Sequence, residues 1–312
     1  GSVASNGFKM VYCSKRDLVN GNEYHPNFTL SQTDGDWIIL SNTFGNVVDS
    51  FKIVHLTKAD HSVGRSTNGA VDFKLFTTPT PNANNTGAQN FYIPTPVLSL
   101  QAGFYPSAQT VSITCADPTA TIRYTLDGSD PTTSSTLYAG PISIATTKVL
   151  RAAAFGTGLT SFTTTNTYFI NVNHSIPVVS VCSQGVYSLV ANGNQSPPER
   201  IGAFELFEDN QVFIDEGQGD FNKHGNDSWA YAQRGFDFIC RDQYGHNGDI
   251  EHGQTRFPGR RHRRCRPPHP GFGLVAVQPE LRRAHAARAR PALARPCLPR
   301  QQRGRRAGRA RF

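Results

Sequence analysis

Two carboxylates three residues apart, Asp127 and Asp130, sit in YTLDGSDPTTSSTLYAGPI (124–142), a stretch with few bulky apolar side chains. Such a pair could serve as a general acid and base, as a cation loop, or as a turn that caps its own backbone. A glycosidase pair needs carboxyls opposed across a cleft, which neighbours in one turn do not offer. A calcium loop needs D-x-[DN]-x-[DN]-G spacing and a later bidentate Glu, and neither is present. Asp-Gly is a hairpin signal, because Gly128 accepts the positive φ of a tight turn. Asp130, before Pro131, starts a second turn, its carboxylate placed to accept nearby backbone N–H groups. The pair is expected to be scaffold.

Other polar groups receive the same treatment. His224, Asn226, Asp227 and Ser228 hold nucleophile-site residue types, but no G-x-S-x-G elbow frames Ser228. Gly217-Gln218-Gly219 lacks the third glycine of a phosphate loop. Arg234, Asp237, Arg241 and Asp242 alternate with Phe236, Phe238 and Cys240, as satisfied strand and loop groups would. His224-Gly225 stays open as part of a nucleotide-covering loop in an intact parent protein. His262, Cys265, His269 and Cys297 fit no common structural zinc spacing. No catalytic, cofactor-binding or metal residue is therefore assigned, and ATP and Mg are expected only for an intact parent.

The elements that carry these residues read as strands. Short alternating runs rich in Val, Ile, Thr and aromatics recur between turn residues, with no sustained helical period up to residue 255. DWIILSNTFGNVVDSFKIV is two runs around Phe44-Gly45-Asn46, and AFELFEDNQVFID is a hairpin around Asp209-Asn210. TVSITC places Val111, Ile113 and Cys115 on one face, and Ile122, Tyr124 and Leu126 share a face of the next strand. Turn signals every 8–12 residues favour β-sandwiches over a parallel sheet, which needs intervening helices. Proline-rich joints at Thr78–Pro96 and near Asn173 divide the chain.

Charge is unevenly spread. Residues 256–312 hold 17 Arg, no Lys and one acid, a balance of +16, whereas the first 255 residues carry 14 basic and 22 acidic residues, or −8. The tail also lacks Asp, Asn, Ser, Thr, Tyr, Ile, Met and Trp, and its Arg, Ala, Pro and Gly can all be spelled with GC-only codons. It is read as frame-shifted and disordered, with too little apolar content to offset chain entropy. Nucleic-acid binding is not expected of an acidic body with a lysine-free arm. The six cysteines are far apart, without C-x-x-C, so no disulfide framework is expected. No apolar run is long enough to span a bilayer. The N-terminus reads as cut from something longer.

Three resemblances follow from quoted motifs. TIRYTLDGSDPTTSSTLYAGPISIATTKVLRAAAFGTGLTSF resembles the immunoglobulin-type domain at the C-terminus of chitobiases and beta-hexosaminidases. Thr125, Asp127, Gly128, Ser129, Pro131, Gly140, Pro141 and Arg151 match that family in order. NFTLSQTDGDWIILSNTFGNVVDSF, HSVGR and FTTPTPNANN resemble the later two-thirds of a lamin-tail domain, whose first strands are missing here. IPVVSVCSQGVYSL, PPERIGAFELFEDNQVFID and HGNDSWAYAQRGFDFICRDQYGHNGDIEH resemble the front of CotH-family proteins, atypical kinases named for a spore-coat protein.

The expected organisation is all-β: tandem immunoglobulin-like sandwiches, an incomplete CotH-type segment and an Arg-rich tail. The boundaries are 1–90, 94–172, 176–252 and 253–312. The resemblances imply a non-catalytic fragment of a secreted or cell-surface bacterial protein, whose binding or spacer modules contact an extracellular polymer or protein. The alternative is the front of an extracytoplasmic CotH-like kinase that has lost its catalytic core. Kinase chemistry needs a phosphate-contacting Lys and Asp-held Mg²⁺, yet none of the seven Lys lies beyond Lys223, and Asp237, Asp242 and Asp249 precede the region of the family's catalytic groups.

Overall fold

A computed structural model describes residues 3, 6–21, 23–32, 35–190, 201–224, 236–240, 251–252, 255–256 and 263–265, the last three segments and residues 184 and 190 by backbone alone. The described residues divide into two units, one within residues 10–55 and the other made of those in 1–9 and 56–265.

In the smaller unit β1 (Leu18–Asn20) pairs with β2 (Glu23–His25), and β3 (Trp37–Ser41) pairs with β4 (Val47–Lys52), all antiparallel. The β3–β4 turn falls where the sequence places it. Gly45 takes a φ of 83°, and the Asn42 side-chain oxygen accepts the amides of Phe44 and Asn46 at 3.0 Å each. All the apolar residues of this ribbon except Phe51 are exposed, on both faces, with Trp37 at 56 % and Val48 at 63 %.

The larger unit opens with the ladder β5 (Ser62–Arg65) and β6 (Phe73–Phe76). Then come β7 (Val97–Leu98), β8 (Gly103–Tyr105), β9 (Gln109–Val111), β10 (Ile113–Thr114) and β11 (Thr121–Thr125). After these come β12 (Thr136–Leu137), β13 (Ile142–Ile144), β14 (Lys148–Phe155) and β15 (Thr164–Ile170). They form a five-stranded sheet in the order β12-β11-β14-β15-β8, faced by the pairs β13-β9 and β10-β7. Val111, Ile113, Ile142, Ile144, Leu150 and Tyr168 fill the space between, the core of an immunoglobulin-like sandwich. Val111 and Ile113 share the inner face as alternation requires, but the ladder changes partner at Ser112, so one expected strand is two.

A second sheet follows: β16 (Val178–Cys182), the short helix α1 (Gln184–Val190), β17 (Ile201–Phe207), β18 (Phe213–Lys223) and β19 (Phe236–Cys240). The two-residue strands β20 (Glu251–His252) and β21 (Thr255–Arg256) pair with each other, and β22 (Arg263–Cys265) closes the order β16-β17-β18-β19-β22. Helix α1 departs from the all-strand reading of this region. Its Val186 and Leu189 cover the outer face of the sheet, where they pack with Phe204, Phe221 and Phe238. In the β17–β18 turn the residue with positive φ is Gln211 (69°), just after Asp209-Asn210. Asn210 instead accepts the Val212 amide through its side chain at 3.1 Å.

The inner face of the second sheet packs on the sandwich, making three layers. Val178 and Phe207 join Phe169 and Ala102 in one buried cluster, and Cys182 and Ala203 join Val149 in another. Phe104 stacks on Phe169 at 4.3 Å between ring centroids, and Phe207 meets Phe169 edge-on at 5.2 Å. Strand β14 is therefore buried on both faces, which explains its run Val-Leu-Arg-Ala-Ala-Ala, where small residues let sheets approach on either side. Among the described residues no disulfide joins Cys13, Cys115, Cys182 or Cys240, and no helix is long and apolar enough to cross a membrane.

Candidate functional site

The acid pair of the 124–142 stretch is used up by the fold. Asp127 accepts the Ser129 amide at 3.0 Å and its hydroxyl at 2.6 Å. Burial raises the cost of ionising Asp127, but the two Ser129 bonds and the Lys148 charge outweigh it and hold the carboxyl below its usual range. Gly128 takes φ 77° as expected, and its amide donates to the Val149 carbonyl at 3.2 Å. This turn is no simple hairpin tip, because a Cβ on Gly128 would lie 2.9 Å from the Cys182 Cβ of the second sheet. Asp130 does not cap backbone amides as the sequence reading expects. It pairs with Arg151 of β14, whose side chain is 2 % exposed and also donates to Thr165 Oγ1 at 3.2 Å. A guanidinium buried between two sheets requires a counter-charge, and Asp130 supplies it. Asp127 and Asp130 thus bind protein atoms rather than facing each other across a cleft.

His224 and Asp237 come together across β18 and β19, with Nδ1 2.8 Å from Oδ1. The sequence reading held both but did not pair them, because the β18–β19 register is not visible in composition. Asn226, Asp227, Ser228, Arg234, Arg241, Asp242, Asp249, His262, His269 and Cys297 lie outside the described residues, and Cys265 is described by backbone only. Among the described residues there is no cluster of three His, Cys, Asp or Glu that could hold a metal. Gly217 and Gly219 belong to β18; Gly217 pairs with Phe204 of β17, and Gly219 pairs with Gly202 on one side and Cys240 on the other. A Cβ on Gly219 would stand 2.1 Å from the Ile239 carbonyl oxygen, so this glycine serves close strand contact rather than phosphate.

A concavity of about 230 Å³ lies between the layers, walled by Phe162–Thr165 of the sandwich and by Glu205, Glu216 and Gln218 of the second sheet. Gln218 closes one side, its Nε2 donating to the Thr163 carbonyl at 2.7 Å. Leu56 and Thr95 complete the rim. Lys58 Nζ donates to the carbonyls of Thr160 and Ser161 at 2.8 and 2.9 Å beneath the rings of Tyr92 and Phe162. His61 Nδ1 meets the Tyr92 hydroxyl at 2.6 Å. Burial lowers the pKa of Lys58 and, with the Lys58 charge, that of His61.

Glu205 is the unusual group here. It stands in the middle of β17, 1 % exposed, directly across from Ser180 on one side and Glu216 on the other. Its Oε1 accepts the Thr167 amide of the sandwich at 2.8 Å, and the Thr167 hydroxyl bonds its other oxygen and lies 2.7 Å from Ser180 Oγ. Burial pushes its pKa up to about 8, opposed by the two Thr167 bonds and reinforced by the Glu216 charge. Burial and the Asp215 charge raise that of Glu216 as well. Glu205 lies within the stretch PPERIGAFELFEDNQVFID quoted for the CotH resemblance, which carries its position but not its role. A lone acid inside Ile-Gly-Ala-Phe-Glu-Leu-Phe was the signal for it.

The architecture is that of an all-β protein with an immunoglobulin-like sandwich at its centre. Residues 100–167 match the family model of the chitobiase/beta-hexosaminidase C-terminal domain, the middle resemblance drawn from sequence. An endoglucanase of Clostridium saccharobutylicum is 44% identical over 61 residues, which are 20% of this chain and 13% of that protein. The chain thus spans only a small part of that relative's length. No solved structure matches it.

Proposed function

We propose that the chain is part of a secreted or cell-surface bacterial protein and works there as binding and spacer modules without chemistry of its own. The observation that carries this reading is the match of residues 100–167 to a domain that accompanies carbohydrate-active enzymes, supported by the likeness to a protein named endoglucanase. The commitment of Asp127, Asp130 and Arg151 to the sandwich supports it further. The flanking segments, 1–90 as a truncated lamin-tail-type domain and 176–252 as the front of a CotH-type domain, complete the proposal. An extracellular polysaccharide is the partner that best suits the relatives. The full chain is expected to sediment with insoluble glucan or chitin, and to be released by soluble fragments of the same polymer. Failure to sediment with either, across a range of salt, would remove the binding half of the reading and leave the spacer half.

A second reading rests on the antiparallel sheet of β16 to β19 with one helix against it. In protein kinases a sheet of this kind carries the nucleotide-gripping Lys. In the parent this segment would then be the front of an extracytoplasmic CotH-like kinase using ATP and Mg. For the chain itself, Mg-ATP is expected to leave the melting temperature unchanged. A saturable shift would favour the kinase reading.

A further inference from the structure

Two layers of hydrogen-bonded sheet meet at Glu205, and the manner of that meeting has a consequence for how the layers hold together. The side chain is buried, and among the described residues no cation pairs with it. The buried cation of the facing sheet among the described residues, Arg151 of β14, is already committed to Asp130. What faces Glu205 is the Thr167 amide and hydroxyl from β15, the Ser180 hydroxyl and Cys182 thiol from β16, and the Glu216 carboxyl from β18 with Asp215 beside it. The Tyr168 phenol, on the strand that carries Thr167, also feels its charge. A carboxylate in such a place has two hydroxyls and one amide to replace its water shell and a second carboxylate opposite. Burial without a counter-ion favours the neutral acid. The neutral acid can accept the Thr167 amide on one oxygen and donate from the other to the Thr167 hydroxyl, which can pass its own proton to Ser180.

We propose that Glu205 is a proton-operated latch between the sandwich and the second sheet: protonated, it bridges Thr167 and Ser180 and closes the layers; ionised, it withdraws from Thr167 toward the adjoining cavity and loosens them. The cavity, which Glu205 itself lines, supplies the space and the water for the charged form. The direction follows from linkage. The folded carboxyl titrates at about 8 against an ordinary 4.5, so its contribution is fully present below 4.5 and is lost as pH rises through 8. The upper limb of that loss, from neutral to alkaline, lies above the histidine range and below the Cys182 thiol, which burial raises to about 12. Moderately alkaline surroundings would thus loosen the seam between the layers that acid or neutral surroundings hold together.

The test is hydrogen exchange on the full chain, with rates corrected for the intrinsic pH dependence of exchange. Protection of the Thr167 amide, and of the 164–170 segment around it, is expected to fall by about tenfold or more between pH 7 and pH 9.5. Glu205→Gln keeps an acceptor and a donor in the same places without a titrating proton, and its protection should stay within about twofold across that range. Glu216→Gln removes the opposing charge and should move the midpoint of the loss to lower pH. If Glu205→Gln does not fold, the midpoint shift in Glu216→Gln decides alone. Flat protection in the unaltered chain, the same pH profile in Glu205→Gln, or an unmoved midpoint in Glu216→Gln would overturn the latch.

Discussion

Asp127 and Asp130 carry the same functional group three residues apart, yet their surroundings give them different weights. Asp127 caps its own turn through Ser129, a local bond that water replaces at modest cost. Asp130 neutralises Arg151, whose guanidinium has only Thr165 and the Gly128 carbonyl besides. Asp130 itself is 44 % exposed, but removing it leaves the buried Arg151 charge uncompensated. Asp130→Ala is therefore expected to cost about 2–4 kcal/mol, against about 0.5–1.5 kcal/mol for Asp127→Ala, read as the difference in urea midpoint. Equal costs, or the reverse order, would contradict this account of the pair. The local half of this arrangement was legible in Asp-Gly-Ser-Asp-Pro, because a turn is written in adjacent residues. The Arg151 half was not, since a partner 21 residues away depends on which strands pair and in what register.

At the scale of elements, the all-β class and most strand positions could be read from alternation, while the burial of both faces could not. Alternation marks the face that needs covering. It does not say that Val149, Thr165, Thr167 and Phe169 on the other face are also covered. The run Val-Leu-Arg-Ala-Ala-Ala in β14 held that information as an absence of polar alternation, and only the second sheet shows what it meant. Glycines in β18 tell a similar story. Gly219 approaches the β19 backbone so closely that any side chain must push the strands apart. Gly219→Ala is expected to destabilise by about 2–3 kcal/mol or more through overpacking and to raise exchange at the 236–240 amides. Gly140→Ala, where a Cβ meets nothing within 4 Å, should stay within about 0.5 kcal/mol. Similar melting temperatures for the two variants would mean that β18 and β19 are not packed as described.

For the larger unit as a whole, the question is whether the family-matched sandwich is a bead on a string or one layer of a larger body. Modules that accompany enzymes are often pictured as independent beads, and Pro-rich joints in the sequence encourage that picture. The packing argues otherwise here. The sandwich surface that meets the second sheet carries Phe104 and Phe169, and the turn that marks the family reaches Cys182 through Gly128. A sandwich released from this contact would expose stacked aromatic rings and the latch residue Thr167, a patch that isolated domains rarely leave open. Phe207, buried and in edge contact with both rings, is the side chain through which the layers share a core. Phe207→Ala is expected to cost about 3–5 kcal/mol, and the loss should not be confined to the sheet that carries it. Exchange protection in 148–155 of the sandwich and in 201–206 of the second sheet should fall together, within one thermal transition for this unit. Two separated transitions, with the sandwich keeping its protection while the second sheet melts, would show that the modules fold apart. In that case the spacer role would fall to flexible joints rather than to a rigid body of three layers.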